Sequence, residues 1–187
     1  WEINNFKLKL LEGIEITQTS TECQLFYVKQ AGLVGVSYPT SIRLYSVKQF
    51  NLAQELSGEG EITHVAFLPV TGTIHVFKKN LPNDEIVFRL NGEKFEKMKS
   101  SEEKQNLKYQ KYGEIKKILA YGNKLLKIFK NGCVLEKLSY SNGKIETERL
   151  FSTADAHEDI HNGVYIENMR RILLIGLEKK FHIYMVN

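Results

Sequence analysis

The sequence predicts an all-β chain built as successive four-stranded antiparallel sheets. Three observations lead there. A pattern recurs roughly every 44 to 47 residues when counted back from Tyr184 to Trp1. Short β-branched or aromatic runs are bounded by Gly, Pro, Ser or Asn. Two Asn-Gly pairs, Asn131-Gly132 and Asn142-Gly143, suit tight hairpin turns whose central residues both take positive φ. A period of this length marks stacked units, each burying its apolar face on a neighbour.

The elements follow in order. Residues 1–16 read as the end of one unit: Trp1-Glu2 closes a third strand, and Leu8, Leu10, Leu11 and Gly13 belong to an outer fourth. Residues 22–57 hold a complete unit with strands Cys23 to Val28, Gly32 to Ser37, Ile42 to Val47 and Leu52 to Leu56. Residues 62–99 hold a second: Ile62 to Phe67, Thr73 to Phe77, Ile86 to Leu90 and Phe95 to Met98. Weak alternation across Ile62 to Phe67 suits an inner strand buried on both faces. Residues 100–112 are an inserted loop. Residues 114–152 hold a third unit: Ile115 to Tyr121, Leu125 to Phe129, Val134 to Tyr140 and Ile145 to Phe151. Residues 156–187 are an incomplete unit that opens on Ala156-His157-Glu158-Asp159-Ile160. Its strands run to Ile166, over Ile172 to Ile175, and over Phe181 to Val186, and the outer strand is lacking.

This punctuation resembles the WD-repeat family. In that family a Gly-His pair opens a unit and Trp-Asp ends its third strand. Here Ala156-His157 stands at the first place, and Tyr184-Met185 and Trp1-Glu2 at the second. The resemblance implies a β-propeller, of which this chain would be a partial ring of about four blades. It also implies a hydrogen-bonded set of His, Ser or Thr, Asp and Trp in each blade, and that set is worn. Glu178 falls at the Asp place of the last unit and Gly176 or Leu177 at the hydroxyl place. In the first complete unit Ser37 and Tyr45 fit, while Pro39 replaces the Asp. Packing and strand ladders must therefore carry more of the stability. Half a ring leaves apolar faces and strand edges bare. The expectation is that further blades come from the same polypeptide, as the strand-end start and missing initiator Met suggest, or from a partner subunit.

Composition bounds the class. The chain has 187 residues, 42% of them hydrophobic. No apolar run approaches the roughly 18 residues of a membrane helix, and no signal segment is visible. No membrane partner and a cytoplasmic location are expected. Two cysteines, Cys23 and Cys133, make no disulfide framework and read as buried free thiols. Net charge is +4. Lys94, Lys97, Lys99, Lys104, Lys108, Lys111, Lys116 and Lys117 cluster near the inserted loop, among Glu93, Glu96, Glu102, Glu103 and Glu114. Mixed signs at that density read as a solvated loop or short exposed helix. A nucleic-acid contact there, with Tyr109 and Tyr112 stacking on bases, is the weaker reading, because the acidic residues dilute any phosphate field.

One motif carries chemistry of its own. His157-Glu158-Asp159-Ile160-His161 matches H-E-x-x-H, which on a helix puts two histidines on one face for zinc, with the Glu as base. Asn162-Gly163 would stop such a helix, and the same residues already open a unit. A zinc metallohydrolase is therefore the alternative, and no metal, cofactor or catalytic residue is assigned. His64 and His75 read as core or face residues of the second unit. Tyr27, Tyr45, Tyr121, Tyr165 and Tyr184 read as packing groups whose hydroxyls reach an edge or water.

The function expected is a non-catalytic scaffold for other proteins, with a ciliary or other cytoskeletal assembly as the first guess. In the family, one ring face is built by the turns from outer strand to next inner strand and by those joining the middle strands. The expected contact positions are Pro39, Thr40, Glu59, Glu61, Asp155, His157 and Glu158, with Lys104, Lys108 and Tyr109 on the insertion.

Overall fold

The computed structural model describes residues 2–4, 7–9, 24–78, 81–98, 109–154 and 159–187. In them the chain is all β, apart from short 3-10 turns at Gln110–Tyr112 and Glu167–Met169. A hairpin of β1 (Glu2–Asn4) and β2 (Lys7–Lys9) comes first. The first blade is β3 (Leu25–Val28), β4 (Leu33–Ser37), β5 (Ser41–Ser46) and β6 (Leu52–Ser57). The second is β7 (Ile62–Leu68), β8 (Thr73–Lys78), β9 (Leu81–Asn91) and β10 (Lys94–Lys97). The third is β11 (Ile115–Tyr121), β12 (Lys124–Phe129), β13 (Gly132–Ser141) and β14 (Lys144–Thr153). The fourth has three strands, β15 (Ile160–Ile166), β16 (Arg171–Gly176) and β17 (Phe181–Met185). Strands neighbour in chain order in every sheet and all pairs are antiparallel. The architecture is a partial propeller. Trp1, Leu10, Leu11, Gly13 and Cys23 lie outside the described residues.

The innermost strands are built alike. A bulge falls between Ile62 and His64 in β7, Ile115 and Lys117 in β11, and Ile160 and Asn162 in β15. His64, Lys117 and Asn162 are therefore equivalent, each four residues before the end of its strand. Gln24 stands four residues before Val28 in the same relation. Because alternate residues share a face, each blade has a back, turned to the next blade, and a front. The backs of the inner strands read Gln24, Phe26, Val28; His64, Ala66, Leu68; Lys117, Leu119, Tyr121; and Asn162, Val164, Ile166.

The core is divided among the seams. Val28, Ile42 and Leu44 of the first blade pack on Val65, Phe67, Ile74, Val76 and Phe88 of the second. Ala66, Leu68 and Phe77 meet Ile118, Leu125, Phe129 and Val134. Leu126, Ile128 and Leu135 meet Ile160, Tyr165, Ile172 and Leu174. Phe26 stacks on Phe67 at 5.9 Å between ring centroids. It also lies against the bare backbone of Gly35, where a methyl group would sit 2.2 Å from its ring. Cys133 is buried and free, and burial pushes its thiol up to about 12.

Turn chemistry follows the sequence at one Asn-Gly pair and departs from it at the other. Asn142 and Gly143 both have positive φ, 50° and 78°. At the other pair the turn is Lys130-Asn131, and Gly132 already begins β13 opposite Phe129. The loop before β11 captures this turn, since Lys130 N–H donates to Glu114 O and Asn131 N–H to Tyr112 O. Gly132 is required for close approach instead: a Cβ there would lie 1.9 Å from Thr153 O.

Candidate functional site

One rim of the arc collects the turns between middle strands and the loops that enter the next blade. Pro39-Thr40 joins β4 to β5, and residues 58–61 join β6 to β7. Backbone hydrogen bonds fasten the two: Gly58 N–H donates to Thr40 O at 2.8 Å, and Ile62 N–H to Pro39 O at 2.7 Å. Glu59, held at φ 51°, receives Lys97 Nζ of the second blade at 2.5 Å. Beside them Ser41 Oγ donates to Glu55 at 2.7 Å and Arg43 Nε to the same oxygen at 3.1 Å. These two bonds hold the Glu55 carboxyl below the usual carboxylate range. Thr40, Ser41, Glu55, Ser57, Glu59 and Gly60 line a shallow, open depression. The structure thus brings Pro39, Thr40 and Glu59 together on one exposed rim, with Glu61 exposed next to them. The third blade repeats the arrangement, with Ile160 N–H donating to Lys130 O at 2.8 Å and Lys130 Nζ 3.4 Å from Asp159. The expected contacts Lys104, Lys108, Asp155, His157 and Glu158 lie outside the described residues.

Tyr109 corrects the reading of the insertion. It was expected as an exposed contact, but it is 5% exposed and its ring stacks on Phe129 at 5.6 Å. Tyr112 is also buried, 5.2 Å from the same ring. Three residues apart on a tight turn, the two tyrosines point the same way and plug the seam between the second and third blades. Neither is available to stack on bases.

That seam holds a charged cluster which the sequence did not reveal. Lys127 of β12 is 3.3 Å from Glu85 of β9 and 3.1 Å from Glu136 of β13. Tyr109 OH donates to Glu136 at 2.5 Å. His75 Nδ1 contacts Glu85, and its Nε2 lies 2.8 Å from Thr73 Oγ1, which in turn meets Thr71 Oγ1 at 2.6 Å. Burial alone would raise the Glu85 pKa, but Lys127 and His75 outweigh it and hold the carboxyl at about 2. Burial alone would lower the Lys127 pKa, and the two glutamates instead raise it. Burial, with Glu136 beside it, raises the Tyr109 pKa. An acid, a histidine and a hydroxyl in series could do acid–base chemistry only if substrate reached them. Here Thr73, His75, Lys127 and Glu136 are all buried. The cluster therefore works as a polar staple, linking Thr73, His75 and Glu85 of the second blade to Lys127 and Glu136 of the third.

Side-chain amides fasten the other seams. Gln24 accepts from Val65 N–H at 2.6 Å and donates to Thr63 O at 3.3 Å. Gln54 donates to Phe95 O at 2.7 Å and accepts from Phe95 N–H at 2.8 Å. His64 Nε2 reaches Lys116 O at 3.2 Å, and Lys117 Nζ reaches Asn162 Oδ1 at 3.0 Å. Ser37 Oγ accepts from Gln24 N–H at 2.8 Å instead of joining a WD-type set, and Tyr45 OH meets Tyr38 OH at 3.3 Å.

The H-E-x-x-H reading requires a helix through residues 157–161. Ile160 and His161 belong to strand β15, and His161 is exposed. In an extended strand residues four apart share a face but stand roughly 13 Å from each other, too far to hold one zinc as two residues on a helix turn do. His157 and Glu158 lie outside the described residues.

Solved structures carry the same fold. Saccharomyces cerevisiae Sqt1 superposes with a TM-score of 0.63 at 12% identity, over 86% of this chain and 44% of that one. The WD40 domain of SCAP from fission yeast gives 0.60 at 13% identity, over 94% and 42%. A putative 6-phosphogluconolactonase from Bacteroides uniformis gives 0.59 at 12%, over 87% and 50%. The chain spans half or less of each. No family model and no curated protein matches the sequence. At these identities the likeness establishes the propeller fold alone.

Proposed function

We propose that this chain is part of a non-catalytic propeller scaffold on which other proteins assemble. The observation that carries the proposal is the rim at Pro39, Thr40, Glu59 and Glu61. Two backbone hydrogen bonds and the Lys97–Glu59 pair hold turns from adjacent blades in one rigid, exposed surface. Preformed surfaces bind with a smaller ordering cost. Propeller folds also carry enzymes, as the lactonase-like neighbour illustrates, so the fold does not decide. What favours a scaffold is that the one series of hydroxyl, histidine, acid and ammonium found among the described residues lies in the seam, with Thr73, His75, Lys127 and Glu136 buried. Asp155, His157, Glu158, Lys104 and Lys108 belong to the same proposed surface by their place in the chain. A cytoplasmic, ciliary or cytoskeletal assembly is the first setting to test, on the resemblance to large proteins with worn repeats.

Nucleic acid fits less well. Lys97 is paired with Glu59 and Lys116 with Glu114, at 2.5 and 2.6 Å, so carboxylates already offset these two charges and dilute the field a phosphate would meet.

The test uses the tagged protein in its own cells, with quantitative mass spectrometry of what co-purifies. Thr40→Arg with Glu59→Lys should remove partners at least tenfold, and Lys48→Glu on the opposite rim should keep them. Equal loss in both variants, or in neither, overturns the rim. Stoichiometric zinc that disappears when His157 and His161 are both changed to Ala would favour the hydrolase instead.

A further inference from the structure

We propose that the rim opposite Pro39 and Thr40 docks flat on an anionic lipid surface, its basic side chains on the head groups and its apolar turn tips pressed in between them. In an antiparallel meander the turn from the inner strand to the second, and the turn from the third strand to the outer one, fall at the same end of every blade. Among the described residues these turns are 29–32, 47–51, 69–72, 92–93, 122–123, 142–143 and 167–170. Backbone hydrogen bonds hold them in each blade: Val47 N–H donates to Gly32 O, Leu90 N–H to Gly72 O, Leu138 N–H to Asn123 O and Val186 N–H to Arg170 O. Side chains tie the first blade to the second, from Gln30 Nε2 to Pro69 O at 2.8 Å, and the third to the fourth, from Lys124 to Glu167. The rim is therefore preformed.

Its charge is one-sided. Lys29, Lys48, Lys94, Lys144, Arg170 and Arg171 stand in these turns or directly beside them, and all are exposed. None of the six has an ion-pair partner among the described residues. The carboxylates at the same places are Glu93 and Glu167, and Lys124 already holds Glu167. On the other rim Glu59, Glu61, Glu114, Asp159 and Glu178 sit among the lysines. Unpaired cations gathered at one end of the blades attract a polyanion. The apolar tips choose which. Phe50, Val70 and Met169, in turns of the first, second and fourth blades, are 42%, 70% and 59% exposed. Phe50 keeps φ 51°, a left-handed backbone that costs a bulky residue and that glycine takes freely. Aliphatic tips gain little on a phosphodiester chain, where planar rings stack on bases instead. On a bilayer they enter the acyl boundary while the cations meet anionic head groups. A plane also reaches all the turns at once. The sequence offers no apolar run to span a membrane, and a contact of this kind needs none.

Co-sedimentation of the purified protein with vesicles tests this. The protein should partition onto vesicles of equal parts phosphatidylcholine and phosphatidylserine, and stay free of vesicles of phosphatidylcholine alone. Lys48→Glu with Arg170→Glu should weaken binding by about tenfold or more. Lys130→Glu with Lys179→Glu, the same charge change on the other rim, should leave it as it is. Phe50→Gly with Met169→Ser keeps every charge and should weaken binding by a similar factor. Both replaced side chains are exposed and glycine suits the Phe50 backbone, so circular dichroism should show this variant folded. No partition onto the mixed vesicles, or equal loss from the two charge variants, overturns the proposal. So does wild-type binding by the Phe50→Gly, Met169→Ser variant, which would mark a purely electrostatic contact. Tighter binding of single-stranded RNA or of polyglutamate than of the mixed vesicles would also overturn it, and would assign the rim to nucleic acid or to an acidic protein. Partners of the Pro39 rim are read separately by co-purification, so either proposal can fail alone.

Discussion

Lys127 decides whether the seam between the second and third blades holds. A single ammonium, 4% exposed, faces the buried carboxylate of Glu136 and the partly buried one of Glu85, and each carboxylate has a second partner, His75 for Glu85 and Tyr109 for Glu136. Removing one member of such a set leaves uncompensated buried charge, which costs more than the set contributes net. Lys127→Met should therefore destabilise by about 3 to 5 kcal/mol in urea unfolding. Lys127→Met with Glu85→Gln and Glu136→Gln should recover much of that loss. If the single change costs no more than a surface substitution, the cluster is solvated and the staple is wrong. Acid gives an independent test. Glu85 falls from the ordinary 4.5 to about 2 in the folded protein, so its contribution is present above about 4.5 and is lost as pH falls towards 2. Glu85→Gln should be less stable at neutral pH, with the gap closing between those two values. Urea midpoints measured stepwise through that window check it, and parallel curves would show that the carboxyl is not depressed.

Strand runs were legible because Gly, Pro, Ser and Asn mark where ladders stop, and because β-branched and aromatic residues fill the pleats. The seams were not. Lys127 lies in Lys-Leu-Leu-Lys-Ile-Phe and Glu136 in Val-Leu-Glu-Lys-Leu, where alternation sends a charge to solvent as readily as to a neighbouring blade. Only the pairing of sheets reveals that the two face each other. Tyr109 was misread for a related reason: its neighbours are charged, and the cue was the three-residue spacing to Tyr112. Gln24 and Gln54 gave no signal, since an amide in a strand names no partner. Yet Gln54 joins the outermost strands β6 and β10 with both amide atoms, as one residue of a strand would. Gln54→Ala should cost about 1 to 2 kcal/mol. It should also speed hydrogen exchange at the Phe95 amide while leaving β12 unchanged. Gln54→Glu keeps the acceptor for Phe95 N–H but sets a carboxylate against Phe95 O, so it should rescue little. Equal exchange at Phe95 in all three proteins would show that packing alone holds the outer seam.

Across the molecule, each blade is stabilised by the seams on either side of it, and the core is divided into clusters that each span one seam. Such an arrangement behaves as a sum of unit and neighbour terms, so stability is graded along the chain. The second and third blades each have a seam on both faces, and the seam between them holds the ionic staple. The first and fourth blades each bury one face and expose the other, where Leu25 and Tyr27 on β3 and Phe181, Ile183 and Met185 on β17 meet solvent. Glutamines, a lysine and two plugging tyrosines fix these seams. Local opening should therefore begin at the two ends. In hydrogen exchange, amides of β12 and β13 should be slowest. Those of β3 and β17 should exchange about 100-fold faster, corresponding to roughly 3 kcal/mol of easier opening. Uniform exchange along the chain at low concentration would mean a single cooperative unit, and the graded description would fail.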